Sequence, residues 1–538
     1  LQIIELQLNI AMEDVMKKYI LSIDCGSQSM RAIIFDDSGE IAAMDQFVYE
    51  PYFSPDPGFS EQHAEMFFDS LCRVCRNVKA KAPDVFSKVE AVALTTQRDS
   101  CVFLGEDLKP VRPTILWMDQ RKIAKPQPMG LLHTAALHLV GMYTTAADLN
   151  RACAAHWVQV NQPEIWEKTK KYVFISAYLN YRMTGILKDN WANQIGHVPL
   201  DYKRGKCEST SSLKGRFFQI DRDRLVELIP PATVLGTVTR EAAELTGLPE
   251  GLPFIPAGSD KGCETLGAGC MDESAAAISL GSQATVQITS KRYFETLSFI
   301  PPFPAVVPGY YNPEIQIYRG FWMISWFKRE FARDEMQKAR EMGVIPEDLL
   351  NENLSIVPPG CDGLLLQPYW GSGIKTPEAR GAIVGFSDVH TRAHIYRAIV
   401  EGIGFSLREA MEAIGKKSGV PITELRLSGG GSQSDDIAQI MADIFNLPVS
   451  RVQTHETSGL GAAIVGFCTI GRFGSFGEAV GKMVRPQQPF HPNTGAAGVY
   501  GHIYKRYYNS IYSSLRPLYK RMLKDGGKRL RRHDIPVS

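Results

Sequence analysis

No apolar run in this 538-residue chain is long enough to span a bilayer as a helix. No charge sign prevails either. The 59 Lys and Arg residues face 58 Asp and Glu, a net charge of +1, so no global field draws the chain to nucleic acid or to an anionic membrane. Cysteine is sparse, ten residues, and only Cys72 and Cys75 form a CxxC, in "SLCRVCRNV". No second CxxC or His cluster completes a zinc site, so two reduced thiols on one helix is the simpler reading. That usage fits a reducing cytoplasm. The opening "LQIIELQLNIAMEDVMKK" lacks the basic start, apolar segment and small-residue cleavage site of a signal peptide. The motifs GxxxxGK[ST], HExxH and GxSxG are absent. These absences remove a Walker-type phosphate loop, a zincin helix and a nucleophile elbow from consideration.

What is present is an ordinary globular composition in a chain too long for one core. At ~100–200 residues per domain, two large domains or several small ones are expected. Folding is expected to begin near Tyr19. Ile20–Ile23 and Arg31–Phe35 read as a β-hairpin, with "DDSGE" as its turn. "SEQHAEMFFDSLCRVCRNVKAKA" has helical period. "VEAVALTT" is a buried strand ending at "QRDS", and "PTILWMDQR" is a second strand ending in polar groups. Strands and helices then alternate, which argues for α/β architecture. Later, "ELRLSGGGSQSDDIAQIMADIFN" reads as strand, glycine turn and helix, and "SGLGAAIVGFCTIG" as a small-residue helix made for close packing.

One feature recurs. "ILSIDCGSQSMRAIIFD" at 20–36 and "AAISLGSQATVQITS" at 276–290 share an outline and a Gly-Ser-Gln tip. Such a tip offers backbone N–H donors and small side chains, a ready cradle for phosphate oxygens. Two of them, one opening each half, favour a nucleotide held between related domains over two plain hairpins. The first also has the pattern Asp-x-Gly-x-x-x-x-Arg at Asp24, Gly26 and Arg31.

With these motifs the chain resembles the sugar kinase, Hsp70 and actin superfamily, and more narrowly the FGGY family of carbohydrate kinases. "ALTTQRDSCVFLGEDLKPVRPTILWMDQR", "GLPFIPAGSDKGCETLGAG", "GAIVGFSDVHTRAHIYRAIVEGIGF" and "LRLSGGGSQSDDIAQIMADIFNLPV" carry the resemblance, which runs from Tyr19 to about Lys520. Phe386 stands where a smaller aliphatic residue is usual. The resemblance implies an α/β fold of two ribonuclease H-like, actin-like domains facing a central cleft. It divides the chain into an extension (1–18), a sugar-binding domain with the catalytic base (19–267), a nucleotide-binding domain (268–520) and a basic tail (521–538). A basic tail is most simply a solvated end.

The implied activity is transfer of the γ-phosphoryl group of ATP to a hydroxyl of a small polyol or ketose, with Mg²⁺. Asp260 in "GSDKG" matches the family's general base; on the residues alone it equally suits a helix cap. Asp24 would hold Mg²⁺ through water, with Asp260 beside it, or be a turn residue bonding its own backbone. Gly26, Ser27, Gln28 and Arg31 would frame the phosphates, although Arg31 also suits a surface ion pair. Gly281 and Ser282 would face the phosphates from the second domain. Gly430, Gly431 and Ser434 would receive the adenosine beside a helix N-terminus, or form a plain loop. Gln97, Arg98, Asp99, Trp117, Asp260 and Lys261 would contact the sugar; for Arg98 and Asp99 the competing reading is a surface salt bridge, and for Trp117 a core position.

The resemblance divides on substrate. The Gln-Arg-acid run and Trp117 match glycerol kinases, but Leu149 or Asn150 stands where those have a pocket tyrosine. "GTVTREAAELTGLPEGLPFIPAGSDKG" looks like xylulokinases, which carry Met-His where this chain has Arg98 and Asp99. The partners implied are a small sugar or polyol and MgATP, with no nucleic acid and no membrane, and with a homodimer as the common arrangement. The other class compatible with the fold is a nucleotide-gated binding or regulatory protein that phosphorylates no sugar.

Overall fold

The computed structural model describes residues 17–50, 52–209, 212–297, 300–370, 376 and 378–529. Of the 1–18 extension, residues 1–16 lie outside the described residues, as do 530–538 of the tail; residues 521–529 continue the last helix, Asn509–Arg529.

Two mixed sheets dominate. The first has six strands in the order Gly236–Thr237, Pro253–Ser259, Val89–Thr96, Tyr19–Cys25, Ser29–Asp36, Ile41–Val48. The second has five in the order Glu314–Ile317, Ala284–Gln287, Ala275–Leu280, Glu424–Ser428, Val449–Ser450. Without the antiparallel edge strand at Gly236–Thr237, the two share one plan. Three consecutive strands form an antiparallel meander, and the next two join parallel to the first. The repeated hairpin seen in the sequence is thus the opening of a repeated sheet.

The strand Tyr19–Cys25 shows why this plan closes. Every residue of it is buried. Tyr19, Leu21 and Ile23 face one core with Phe67, Phe68, Leu71 and Val74 of the helix Ala64–Lys81. Ile20 faces the other core with Leu460, Ile464 and Phe467 of the helix Thr457–Thr469. Burial on both faces gives the near-continuous apolar run read in the sequence. In the second sheet, Ile278, Leu280 and Val286 pack with Ile399 and Ile403 of the helix Arg392–Ser418 and with Ile437 and Met441 of the helix Asp435–Phe445.

Two readings need correction. "DDSGE" does not close the first hairpin. The chain turns there through Gly26–Gln28, and Asp36–Glu40 makes the next turn onto the third strand. Asp36 Oδ1 accepts from Ser38 N and Glu40 N, and Gly39 takes φ +81°. "PTILWMDQR" supplies only the two-residue strand Thr114–Ile115. Cys72 and Cys75 are buried on the helix Ala64–Lys81, all ten cysteines are free, and burial pushes the Cys72 thiol up to about 11.

Two helices cross between the halves with almost no side-chain volume. A Cβ on Gly461 of the helix Thr457–Thr469 would lie 1.9 Å from the Cys263 carbonyl oxygen, and one on Gly267 would lie 2.0 Å from that of Thr457. The helix Asp260–Gly267 can therefore lie backbone-to-backbone on its neighbour only because both positions lack a side chain. Among the described residues no helix is long and apolar enough to cross a membrane.

Candidate active site

The two Gly-Ser-Gln tips are alike in outline but differ in length, the first hairpin closing on the pair Cys25–Met30 and the second on Leu280–Ala284. A Cβ on Gly26 would sit 3.3 Å from Ser29 O, and one on Gly281 3.3 Å from Gln283 O. The amide N–H groups of Ser27, Gln28, Ser282 and Gln283 donate to no other group among the described residues. The tip carbonyls, in contrast, are engaged: Gln28 O accepts from Tyr49 N, Gly281 O from Phe321 N and Ser282 O from Trp322 N. Each tip is held by its acceptors and leaves its donors free, which is what an anion requires.

Asp260 is the first residue of the helix Asp260–Gly267 and follows the strand Pro253–Ser259. The cap of that helix is Ser259, whose hydroxyl accepts from Gly262 N. The capping alternative for Asp260 is therefore already filled by its neighbour. Among the described residues the Asp260 carboxylate accepts from Lys261 N alone, at 2.7 Å, while its backbone carbonyl accepts from Ser458 Oγ at 3.3 Å. Burial raises its pKa, with Lys261 and Arg98 pulling the other way. Asp24, at the end of the first strand, is raised to about 7, chiefly by burial; Arg31 opposes the shift and Asp260 adds to it. The two carboxylates thus feel each other across the head of the helix.

Lys261 reaches the second sheet. Its Nζ donates to Glu264 Oε2 at 2.7 Å and to Ser279 Oγ at 2.6 Å, on the strand leading into the second tip. It lies 4.0 Å from the position a Cβ on Gly281 would take. The Asp260–Lys261 pair therefore stands between the flank of one tip and the other.

Arg31 is bound to carboxylates: Nη1 lies 3.4 Å from Asp24 Oδ2, and Nε 3.3 Å from Glu456 Oε1, just before the helix Thr457–Thr469. It steadies the first tip from behind. Gln97 does the same, donating from Nε2 to Gly26 O at 3.3 Å. Trp117 donates from Nε1 to Ser27 Oγ at 2.6 Å, which joins the expected sugar side to the first tip.

Arg98 forms an ion pair with Glu314 of the second sheet, stacks over Phe303 at 5.0 Å, and leaves Nε and Nη2 buried without a protein partner. Asp99 adopts φ +52°; its Oδ1 accepts from His197 N at 2.9 Å and its Oδ2 lies 2.6 Å from His197 Nδ1. Gly196 permits this approach, since a Cβ there would lie 2.2 Å from Asp99 Oδ1. Asn150 is fully buried, its amide bonded to Gln127 N and Phe217 O, a packing role.

In the second half Gly429 takes φ +79° and backs onto Leu280 and Gly281, where a Cβ would lie 2.9–3.1 Å from their backbone. Gly430 has open space over its α-carbon, whereas a Cβ on Gly431 would strike the Phe321 ring at 2.5 Å. Gly430 is the bare backbone that faces outward and Gly431 faces the core. Ser434 caps the helix Asp435–Phe445, accepting from Ile437 N.

Sequence reasoning missed four charged residues: Glu264, Glu314, Glu456 and His197. Glu314 also accepts from Gln287 Nε2 at 2.6 Å, and Gln287 Oε1 accepts from Thr265 Oγ1 on the helix that begins at Asp260. Only Glu264 carried a signal, three residues beyond Lys261 on a helix.

The cleft is short of positive charge. Five carboxylates (Asp24, Asp260, Glu264, Glu314, Glu456) meet three permanent cations (Arg31, Arg98, Lys261). Among the described residues no group of three or more His, Cys, Asp and Glu side chains converges as a metal site. A cation that binds through one or two carboxylates and takes its other ligands from phosphate and water, as magnesium does, suits this set.

Residues 19–267 match the FGGY family of carbohydrate kinases, N-terminal domain, and residues 276–470 its C-terminal domain. An uncharacterized sugar kinase of Escherichia coli K12, YgcE, is 31% identical over 483 residues, covering 88% of this chain and 89% of its own. A xylulose kinase of Lactococcus lactis is 30% identical over 503 residues, covering 90% and 95%. The ligand-bound xylulose kinase structure from Lactobacillus acidophilus shares the fold, with a TM-score of 0.78 over 94% of this chain and all of its own at 21% identity. With both halves matched in order and the repeated sheet behind them, the chain belongs to the FGGY family of carbohydrate kinases.

Proposed function

We propose that this protein transfers the γ-phosphoryl group of ATP to a hydroxyl of a small polyol or ketose, with Asp260 as the general base. One observation supports the reading: a β-turn in each sheet has amides with no partner among the described residues, and Asp260, whose capping role is filled by Ser259, adjoins the Lys261 that reaches the second of them. The lobes proposed are 19–267 for the sugar and 268–520 for the nucleotide. A kinase name on the relatives that cover most of the chain supports the reaction, and the xylulose kinase among them supports a ketose as the first class to test.

In the proposed reaction the tips hold the triphosphate, Gly430 receives the adenosine, and Arg98, Asp99 and Trp117 orient the acceptor. The acceptor oxygen bonds to the γ-phosphorus while the bond to the bridging oxygen of ADP breaks, and the hydroxyl proton passes to Asp260. A carboxylate raised by burial is the better base for that transfer. Magnesium, when bound through Asp24 and Asp260 with water, would neutralise phosphate charge. Closing the two halves on the phosphates would exclude water and limit wasteful hydrolysis.

The deciding experiment is ATP turnover across glycerol, erythritol, D-xylulose, D- and L-ribulose. Sugar-dependent ADP release with at least one of them is expected. Nucleotide binding with no turnover on any would favour a binding or regulatory protein of the same fold.

A further inference from the structure

Lys261 follows the proposed base, and its place in "GSDKG" suggested a sugar contact. The structure turns it elsewhere. Its Nζ crosses to the second half and is held by Ser279 Oγ at 2.6 Å and Glu264 Oε2 at 2.7 Å. Ser279 in turn donates to Glu264 Oε1 at 2.8 Å, which closes a triangle of three side chains around the ammonium. An ammonium has three donors, so two are spent on the brace and one remains. The place it reaches is the second tip: Gly281 has no side chain, and the Nζ comes within 4.0 Å of where one would begin. The next two amides of that tip, Ser282 and Gln283, are unpaired.

A fixed cation beside free amides is an anion site, and the carboxylate base is the adjacent residue in the chain. We propose that Lys261 binds the γ-phosphoryl group of ATP, as a catalytic cation on the nucleotide side of the cleft, and does not contact the sugar. Glu264 and Ser279 are its positioning residues. This assignment rests on the kinase reading. Lysine does similar work in other phosphoryl-transfer sites, as a point charge on the terminal phosphates.

The test compares a nucleotide that has a γ-phosphate with one that lacks it. Lys261→Met and Lys261→Arg are titrated calorimetrically, with magnesium, against ADP and against the non-hydrolysable analogue AMPPNP. Lys261→Met is expected to lose about 10–100-fold in AMPPNP affinity, the scale of one charge-assisted contact, with ADP affinity within about twofold. With the sugar that wild type accepts, its turnover should fall by about 10²–10³, as for loss of a transition-state donor, and its sugar KM should stay within about threefold. Lys261→Arg keeps the cation and should retain the preference for AMPPNP over the Met variant, which also serves if the Met protein does not fold. A raised sugar KM with unchanged AMPPNP binding would overturn the proposal in favour of a sugar contact. Lowered thermal stability with both affinities unchanged would reduce Lys261 to a strut. Either result leaves the kinase reading intact if wild type phosphorylates a sugar; a wild type that binds neither nucleotide defeats both.

Discussion

Arg98 donates from Nη1 to both carboxylate oxygens of Glu314, at 3.0 and 2.8 Å, and so ties a strand end of the first half to the edge strand Glu314–Ile317 of the second sheet. Both side chains are largely shielded from water. Through Gln287 and Thr265 the same carboxylate is linked to the helix that opens with Asp260. Breaking a buried pair by removing one partner costs roughly 3–5 kcal/mol, because the other charge stays behind. Glu314→Ala should therefore lower the unfolding midpoint clearly. Glu314→Gln keeps the shape and frees Arg98 from its brace. It should raise the sugar KM by about tenfold or more, the scale of a charge-assisted contact, and leave the nucleotide KM within about twofold. An effect on the nucleotide alone would show that the pair does not orient the acceptor.

Asp260→Asn removes the proposed base while keeping its size. Turnover should fall ~10²–10⁴-fold, the contribution of a general base. ADP and AMPPNP should still bind, since the tip amides and Gly430 are untouched. The measurement is single-turnover phosphorylation alongside calorimetry. Near-normal turnover would place the base elsewhere in the cleft.

The parts of this site legible in the sequence are those in which one residue type does one job. Gly26 and Gly281 stand out because only small residues suit a tip between two apolar strands. Ile20–Asp36 reads clearly because its strands are buried on both faces. Asp260 was open between base and cap, and only the Ser259 bond to Gly262 N removed the cap. Glu314 could not be read at all. It lies in a four-residue strand, and its partner Arg98 is 216 residues away, so no spacing rule joins them. The strand Ile41–Val48 was missed for a related reason: it pairs on one side only and is half exposed, so its apolar pattern is weak. The contacts of Lys261 with Glu264 and Ser279 were only half legible, since Ser279 lies 18 residues on, in another sheet.

His197 offers a pH test of the Asp99 arrangement. Burial works against its charge and Lys122 repels it, but Asp99 outweighs both, so its pKa lies above the ordinary histidine value. Phe218 packs edge-on against the ring, and His156, held low by burial, is near enough to feel the His197 charge. A histidine raised in the folded state stabilises that state fully below its unfolded value of about 6.5, and the contribution is lost as pH rises through the folded value. Two-dimensional NMR should show His197 titrating above 6.5, and Asp99→Asn should bring it down. The midpoint difference between wild type and Asp99→Asn should shrink as pH rises past the folded value. A His197 that titrates below 6.5 in wild type would mean that burial outweighs Asp99.

The helix crossing at Gly461 makes the last prediction, and it sets two physical effects against each other. Alanine in a helix interior is favoured over glycine by about 1 kcal/mol. At Gly481, on an exposed helix face with nothing within 4 Å of a Cβ, that gain should appear unopposed, and Gly481→Ala should raise the unfolding midpoint slightly. At Gly461 the Cβ would meet the Cys263 carbonyl at 1.9 Å, a backbone atom that no rotamer change can move. The helices must separate, and overpacking of this kind costs about 1–3 kcal/mol or more. Gly461→Ala should thus lower the midpoint despite the better helix former. Because the displaced helix begins at Asp260, turnover should fall with it, while nucleotide affinity at the second tip holds. Thermal unfolding and steady-state kinetics on the two alanine variants, side by side, separate propensity from packing; equal midpoints would mean the crossing yields easily and does not fix the base.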